Sequence, residues 1–391
     1  MKKKLLFVTN GLYGGGAEVI LQTLLSHISR DLFEITVLSV NQQAVGPEYP
    51  NECDYCYIFG SYSEGDPSYK QFLIKVINKI KLLIYYHLTP KWSYRLFIPK
   101  GFDVEVAFIE GYATRIISAS TNKRSRKIAW VHIDLMNNHW TDIAYRSRSE
   151  ESAAYAKFDD VVCVSENVRN SMRSINPSLQ NLRVIYNPVD DIVIRNKAQE
   201  TVTYSKYEEG PIKMVSVGRL VPQKGYDRLL PILKRLHDEG YSFVMNILGE
   251  GPDRSELERY ISENEMQSYV SLMGFISNPY PYIKDSDLFV CSSRSEGYST
   301  AVTEALILGV PVITTLCSGM EELLGNGEFG IIVDNDDDSL YVGISKVLSK
   351  EIDLGNYRKK SEMRGKDFSL KRQMSSIEGL FQEGNAFRVC P

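Results

Sequence analysis

With 391 residues, 43% hydrophobic and 24% charged, the chain has the composition of a soluble globular protein, and it is too long for one ordinary core, so two or three domains are expected. A formal net charge of -4 at pH 7 speaks against a dedicated nucleic-acid binder. No apolar run reaches the length of about 18 residues that a membrane span needs, and the run after the lysines of "MKKKLLFVTN" is too short for a signal peptide, so this reading keeps the chain in the cytoplasm.

In the first half, strand-like runs recur as "KLLFVTN", "FEITVLSV", "YCYIFG", "DVEVAFI", "KIAWVHI", "VVCVS" and "RVIYN", with helix-like stretches between most of them. Such alternation predicts an α/β fold with a parallel sheet. The opening strand runs into Gly14, Gly15 and Gly16, whose missing side chains let backbone N–H groups approach a phosphate or a sugar, and "AEVILQTLLSHI" continues as an amphipathic helix. A dinucleotide fingerprint would end the second strand on an acid, but "ITVLSVNQQ" runs into Asn41; the P-loop pattern is missing too. Cys53 and Cys56 form a lone pair with no second pair or nearby histidine, so no metal or redox role is assigned to them. Cys163 and Cys291 fall inside apolar strands, as reduced core thiols do.

"YKQFLIKVINKIKLLIYYHL", Tyr69 to Leu88, mixes lysines with bulky apolar residues. Two readings stay open: a core helix of the first domain with a solvated basic edge, which is preferred, or a helix lying on an anionic membrane. His132 ends the strand "KIAWVHI", where a histidine by itself reads as a satisfied core residue.

Around 190–211 apolar periodicity fades into a polar stretch that reads as a linker. A second series follows: "KMVSVG", "FVMNILG", "VSLMGF", "DLFVCSS", "VPVITT" and "GIIVD". Its opening strand also enters a glycine turn, "SVGRLVPQKG", where Arg219 and Lys224 flank the turn. An arginine fork and a compact ammonium at a strand's carboxyl end suit a diphosphate. In "SEGYSTAVTE" a strand ends at Glu296 and Gly297. Ser299 caps a helix whose core face is Val302, Ala305 and Leu306. Glu304 falls roughly 200° around from Val302 at about 100° per residue, off that face, where it meets either a ligand or water. Neither glutamate has an obvious cationic neighbour in the sequence. The acidic run Asp334 to Asp338 precedes a helix and reads as capping and solvation.

The set "VGRLVPQKG", "ILGEGPDRSELE", "SLMGFISNPYPYIKDSDLFVCSSRSEGYSTAVTEALILGVPVITT" and "GNGEFGIIV", in this order, resembles the GT-B retaining glycosyltransferases of glycosyltransferase family 4. It resembles especially the bacterial enzymes of capsule, O-antigen (lipopolysaccharide) or exopolysaccharide synthesis. It is close over roughly residues 212–350 and looser before them. The resemblance implies two doubly wound Rossmann-like domains facing a central cleft. The acceptor-side domain would be 1–190, with a C-terminal helix at about 370–391 packing back on it. A hinge would follow at 191–211, and a nucleotide-sugar domain at 212–369.

It also implies roles. Glu296 and Glu304 match the family's pair of glutamates seven residues apart, the first beside the donor sugar and the second on the ribose hydroxyls. Arg219 and Lys224 match the cations on the donor diphosphate. Backbone N–H groups of Gly297, Tyr298, Ser299, Thr300 and Ala301 would hold sugar and phosphate, and Gly274 and Phe275 would meet the base. Gly249 would lie near the diphosphate, Gly15 and Gly16 would close over donor and acceptor, and His132 would sit near the donor sugar. Ser299, where many members carry Gly or Pro, and "CSGMEE", in place of the commoner paired glycine, depart from the pattern and weaken inference about the sugar.

The implied activity is metal-independent hexosyl transfer. It would run from a UDP- or GDP-type sugar, with no cofactor, to a saccharide acceptor, lipid-linked on this reading, with peripheral membrane contact through 69–88. The alternatives are a non-catalytic sugar-nucleotide-binding subunit of a transferase pair, or a sugar-nucleotide epimerase or phosphorylase of the same architecture.

Overall fold

A computed structural model of the chain describes residues 2–12, 15–41, 49–61, 66–87, 89–201 and 210–384. The chain divides into two compact units, Met1–Pro188 with Lys371–Pro391, and Val189–Leu370.

The first unit holds seven strands: β1 (Lys3–Thr9), β2 (Phe33–Asn41), β3 (Asp54–Phe59), β4 (Val104–Ala107), β5 (Arg126–Val131), β6 (Asp160–Cys163) and β7 (Leu182–Val184). They form one parallel sheet in the order β3-β2-β1-β4-β5-β6-β7. The second unit holds six: β8 (Ile212–Val217), β9 (Phe243–Leu248), β10 (Val270–Gly274), β11 (Leu288–Cys291), β12 (Val312–Thr315) and β13 (Ile331–Val333), parallel in the order β10-β9-β8-β11-β12-β13. Each strand lies where an apolar run predicted it.

The central strands are buried along their length, from Leu5 to Val8, Val104 to Ala107 and Leu288 to Cys291. Both faces are covered by helices, so both side-chain sets must be apolar. Each sheet steps outward from its first strand and then restarts on the other side with its fourth. The carboxyl ends therefore diverge at β1/β4 and at β8/β11, the crevices in which open α/β sheets hold ligands.

The last helix, Leu370–Gln382, belongs to the first unit. Phe381 packs edge-on against Phe7 and Phe33, with ring centroids 5.7 and 6.1 Å away. Arg126 Nη1 donates to Leu380 O at 2.6 Å, and the same guanidinium pairs with Asp160 and Glu383.

Two expectations change. The stretch read as linker from 191 opens with a helix, Asp191–Lys197, inside the second unit: Asp190 caps it by accepting from Val193 N at 2.9 Å, and Ile194 is buried. Its apolar pattern is too short to register as periodic. Residues 202–209 of that stretch lie outside the described residues. The segment at 69–88 does form a helix, Ser68–His87, but the preferred core reading fails, because all its large apolar side chains up to Ile80 except the half-buried Ile74 are exposed. Asn78 and Lys81 instead bond to Gly60 and to the carbonyl of Ile58, which turns the polar face inward. Leu88 lies outside the described residues, as do the side chains from 82 to 87.

Candidate functional site

The turn after β8 and the turn after β11 are laced together. Following β8, a short 3-10 turn, Pro222–Lys224, ends at Gly225 in the left-handed region, with φ of 69°. A Cβ there would come within 2.2 Å of Ser292 O, so only glycine lets this turn lie against the end of β11. Ser292 Oγ donates to Lys224 O at 2.9 Å, Arg294 N to Gln223 O at 2.7 Å, and Gln223 Nε2 to Ser295 O at 2.8 Å. Arg294 grips Asp227 through two bonds of 2.7 and 2.8 Å, the bidentate geometry that fixes orientation as well as distance.

Between these loops Lys224 Nζ donates to Glu296 Oε1 at 2.5 Å, and Ser293 Oγ donates to the same oxygen at 2.6 Å. The sequence reading had found no cation near Glu296; folding brings one from 72 positions away. Burial opposes the Lys224 ammonium, yet the Glu296 carboxylate overcomes this and raises its pKa. Glu296 Oε2 has no partner among the described residues, which leaves one acceptor open beside a fixed positive charge. Arg219, on the same turn, is exposed, and its guanidinium is unpaired among the described residues.

Ser299 caps the Thr300–Ile307 helix as predicted, accepting from Val302 N at 3.4 Å. Thr300 and Ala301 are the first helical residues, and Tyr298 is buried just before them. Gly297 is crossed by the left-handed Gly319, where a Cβ would meet Gly297 O at 2.2 Å.

Of the two settings expected for Glu304, plain water is excluded and the ligand alternative stands: the residue is 9% exposed, and the Tyr280–Lys284 and Asp191–Lys197 helices pack against its helix. Tyr280 Oη donates to Glu304 Oε1 at 3.3 Å. Burial pushes the Glu304 carboxyl up to about 7, with the tyrosine bond opposing it. Gly249 ends β9 at the same edge and donates its N–H to Gly274 O at 2.8 Å, while Phe275 stands 76% exposed beyond it. In the second unit, then, Arg219, Lys224, Gly249, Gly274, Phe275, Glu296 to Ala301 and Glu304 all belong to the carboxyl edge of β8 to β11.

The remaining candidates are in the first unit. Gly15 caps the Gly16–His27 helix after β1; Gly14 lies outside the described residues. His132 follows β5, and its Nε2–H donates to Phe108 O at 2.8 Å, which fixes the tautomer and leaves Nδ1 as an acceptor. Burial lowers its pKa to about 4, so the ring is neutral near pH 7.

Two groups escaped the sequence reading. Glu110, 2% exposed after β4, accepts from the backbone N–H of His132 and, at 3.0 Å, from that of Ile133. Burial raises its carboxyl to about 7 against those two bonds. Arg228 is buried and donates to Ser292 O at 3.0 and 2.7 Å and to Ser293 O at 2.9 Å, so it holds the strand end that carries Ser293 and Glu296. A cation in the first turn of a helix runs against the helix dipole, and that was the available signal.

The sequence matches the family model described as "Glycosyl transferases group 1" over residues 200–367 and the model "Glycosyltransferase Family 4" over residues 14–192. It is 27% identical over 377 residues to an N-acetylgalactosamine-N,N'-diacetylbacillosaminyl-diphospho-undecaprenol 4-alpha-N-acetylgalactosaminyltransferase of Campylobacter jejuni, covering 94% of this chain and 96% of that protein. It is 31% identical over 137 residues to a putative colanic acid biosynthesis glycosyltransferase WcaL of Escherichia coli, about a third of each chain (32% and 33%). Among solved structures it shares its fold with Anabaena Alr3699/HepE in complex with UDP (TM-score 0.67, 16% identity, 97% of this chain and 99% of that one). It shares it also with sucrose-phosphate synthase from Thermosynechococcus elongatus (TM-score 0.72, 13% identity, 97% and 98%).

Proposed function

The chain belongs to the GT-B glycosyltransferases of family 4, and on that footing we infer that it transfers a sugar from a UDP- or GDP-type donor to a lipid-linked saccharide. Transfer retains the anomeric configuration, needs no metal ion, and serves the synthesis of a bacterial surface polysaccharide such as capsule or lipopolysaccharide, at the cytoplasmic face of the membrane. The undecaprenol-linked substrate in the name of the Campylobacter relative supports the lipid carrier.

One observation carries the reading: the Lys224–Glu296 pair at the β8/β11 crevice, with Ser293 on the shared oxygen and Arg219 exposed on the same turn. When the bond between the anomeric carbon and the diphosphate oxygen breaks, negative charge grows on the phosphate side. Lys224 and Arg219 offset it together with the N–H groups at the start of the Thr300–Ile307 helix, a preorganised electrostatic role that a metal ion plays in other transferases. The open oxygen of Glu296 takes a donor-sugar hydroxyl, and Glu304 takes the ribose hydroxyls. Among the described residues no side chain stands out as a nucleophile, and the departing phosphate accepts the proton of the acceptor hydroxyl as that oxygen bonds to carbon on the same face. His132, neutral with Nδ1 open, receives a hydroxyl hydrogen bond without adding charge.

The test is a panel of UDP- and GDP-sugars incubated with lipid-linked saccharides in EDTA, with the product anomer read by NMR. Turnover with a retained anomer is expected. An inverted product would reject retention. Activity that needs added magnesium or manganese, undiminished in Lys224→Ala and Arg219→Ala, would reject the role given to the cations. Tight nucleotide binding with no turnover or slow hydrolysis of any sugar nucleotide would favour the non-catalytic binding subunit.

A further inference from the structure

Glu110 lies three residues past the end of β4, 2% exposed, and takes no part in the transfer described above. Its Oε1 accepts from the backbone N–H of His132 and, at 3.0 Å, from that of Ile133. Both lone pairs of that oxygen are thereby used, so the carboxyl's proton, when present, rests on Oε2. Oε2 accepts no bond from another residue among those described. An unmatched acceptor in a buried carboxyl costs free energy that a ligand can restore. Because β4 and β5 are neighbours in the sheet, this carboxyl stands beside His132, whose Nδ1 is open as well. The chain then turns away at Gly111, where φ is 79° and a Cβ would come within 3.2 Å of the Trp140 ring. Glycine thus lets a half-buried aromatic ring lie against the residue next to the carboxyl.

Chemistry narrows the ligand. A carboxylate repels phosphate, and neither Oε2 of Glu110 nor Nδ1 of His132 is bonded to a cation among the described residues. Two open acceptors near an aromatic ring suit a neutral molecule with several hydroxyls, that is, a sugar ring with polar edges and an apolar face. On the transferase reading, on which this inference rests, the sugar that meets the first unit is the acceptor. We propose that Glu110 is a specificity residue for the acceptor saccharide, its Oε2 accepting one acceptor hydroxyl at the end of β4. The other titratable groups whose charge reaches Glu110 are Glu151, Tyr155 and Cys163. Burial raises the phenol and the thiol, so both are neutral near pH 7. Glu151 is engaged by His139 Nε2 at 2.6 Å and by Thr141 Oγ1 at 2.7 Å. A change in sugar binding near pH 7 is therefore assigned to Glu110 when the variant Glu110→Gln lacks it.

Methyl glycosides of glucose, galactose, N-acetylglucosamine and N-acetylgalactosamine are titrated into the full chain without nucleotide, and binding is read by saturation-transfer NMR. At least one should bind, and more tightly as pH rises through about 7, because hydroxyl donors favour the ionised oxygen. Glu110→Gln keeps an oxygen for the two backbone N–H groups and puts an amide NH2 in place of Oε2. It should stay folded, lose about tenfold in glycoside affinity, and lose the pH component. A carboxyl that only anchors the turn after β5 would instead leave this variant with wild-type affinity, and that result overturns the proposal. So does a wild type that binds none of the four glycosides, or binds them with a flat pH profile. A loss in the variant confined to UDP- or GDP-sugars overturns it too, by moving Glu110 to the donor. UDP and GDP are titrated in parallel: if neither binds the wild type, the transferase reading falls, while the glycoside titrations still decide whether Glu110 holds a sugar.

Discussion

The fourth strand of each sheet ends in a buried glutamate, Glu110 after β4 and Glu296 after β11, and the two are held in opposite ways. Glu296 meets an ammonium and a hydroxyl. Among the described residues Glu110 meets only backbone N–H groups, beside an imidazole kept neutral by burial, and its own carboxyl is raised to about 7. The strand order is the same, so the difference comes from the neighbouring turns: the first strand of the second unit feeds Lys224 into its crevice, while Glu110 is met by the backbone after β5. One scaffold thus offers a crevice with fixed charge and one close to neutral. The first suits a phosphate leaving group, the second uncharged hydroxyls.

Removing the charge from the second crevice is the harshest test of this contrast. Lys224→Ala is expected to slow transfer by roughly 10² to 10³, about 3 to 4 kcal/mol of transition-state stabilisation, and it also leaves Glu296 buried without its counter-ion. Adding Glu296→Gln to that variant should return thermal stability but not turnover. If the double variant regained activity, the ammonium would be serving only the fold.

The next test concerns pH. Glu110 and Glu304 both have folded pKa values raised from the ordinary carboxyl range to about 7. The native state therefore holds these protons more tightly than the unfolded chain does. The stability that follows is fully present below the unfolded value and is lost as pH rises through about 7. Each group accounts for a change on the order of 3 kcal/mol. Thermal unfolding without ligand, followed between about pH 5 and about pH 8, should show a decline that Glu110→Gln and Glu304→Gln each flatten. A decline that neither variant alters would remove both groups from the account.

Smaller again is the loss of nucleotide affinity in Glu304→Ala, roughly 1.5 to 3 kcal/mol for a charged hydrogen bond to the ribose. UDP or GDP binding should also tighten as pH rises through about 7, since hydroxyl donors favour the ionised carboxylate, and Glu304→Gln should lack that component. Calorimetry giving wild-type affinity in the alanine variant would sink the role. The least change of all is expected at His132. With a pKa of about 4, its ring resonances should stay flat from neutral pH down to about pH 5.5 and report the Nε2–H form throughout. Titration near the ordinary histidine value would contradict the neutral crevice.

The strands were legible because a strand covered on both faces is a continuous apolar run. The caps were legible because Ser299 and Asp336 sit one residue before their helices and act locally. What escaped was long-range. Glu304 is off the core stripe of its own helix, but Tyr280, 24 residues away, covers it. Lys224 and Glu296 are joined only because β8 and β11 are neighbours. The Ser68–His87 helix teaches a separate lesson. Periodicity tells which side chains share a face, and it is silent on which way that face turns; Asn78 and Lys81 decided the direction through bonds to backbone groups at and just past the end of β3.

The return of the Leu370–Gln382 helix to the first unit bears on the order in which the protein can be assembled. Residues up to 188 leave the ribosome long before Phe381 is made, yet Phe7 and Phe33 pack on that ring, and Arg126 finds Leu380 O and Glu383 only in the late segment. During synthesis the early half carries an uncovered apolar patch and an incompletely paired guanidinium while the whole second unit is translated and folds. Completion of the first unit is therefore timed by the last stretch of the message, and a chain cut short before Leu370 would lack part of its first core rather than of its second.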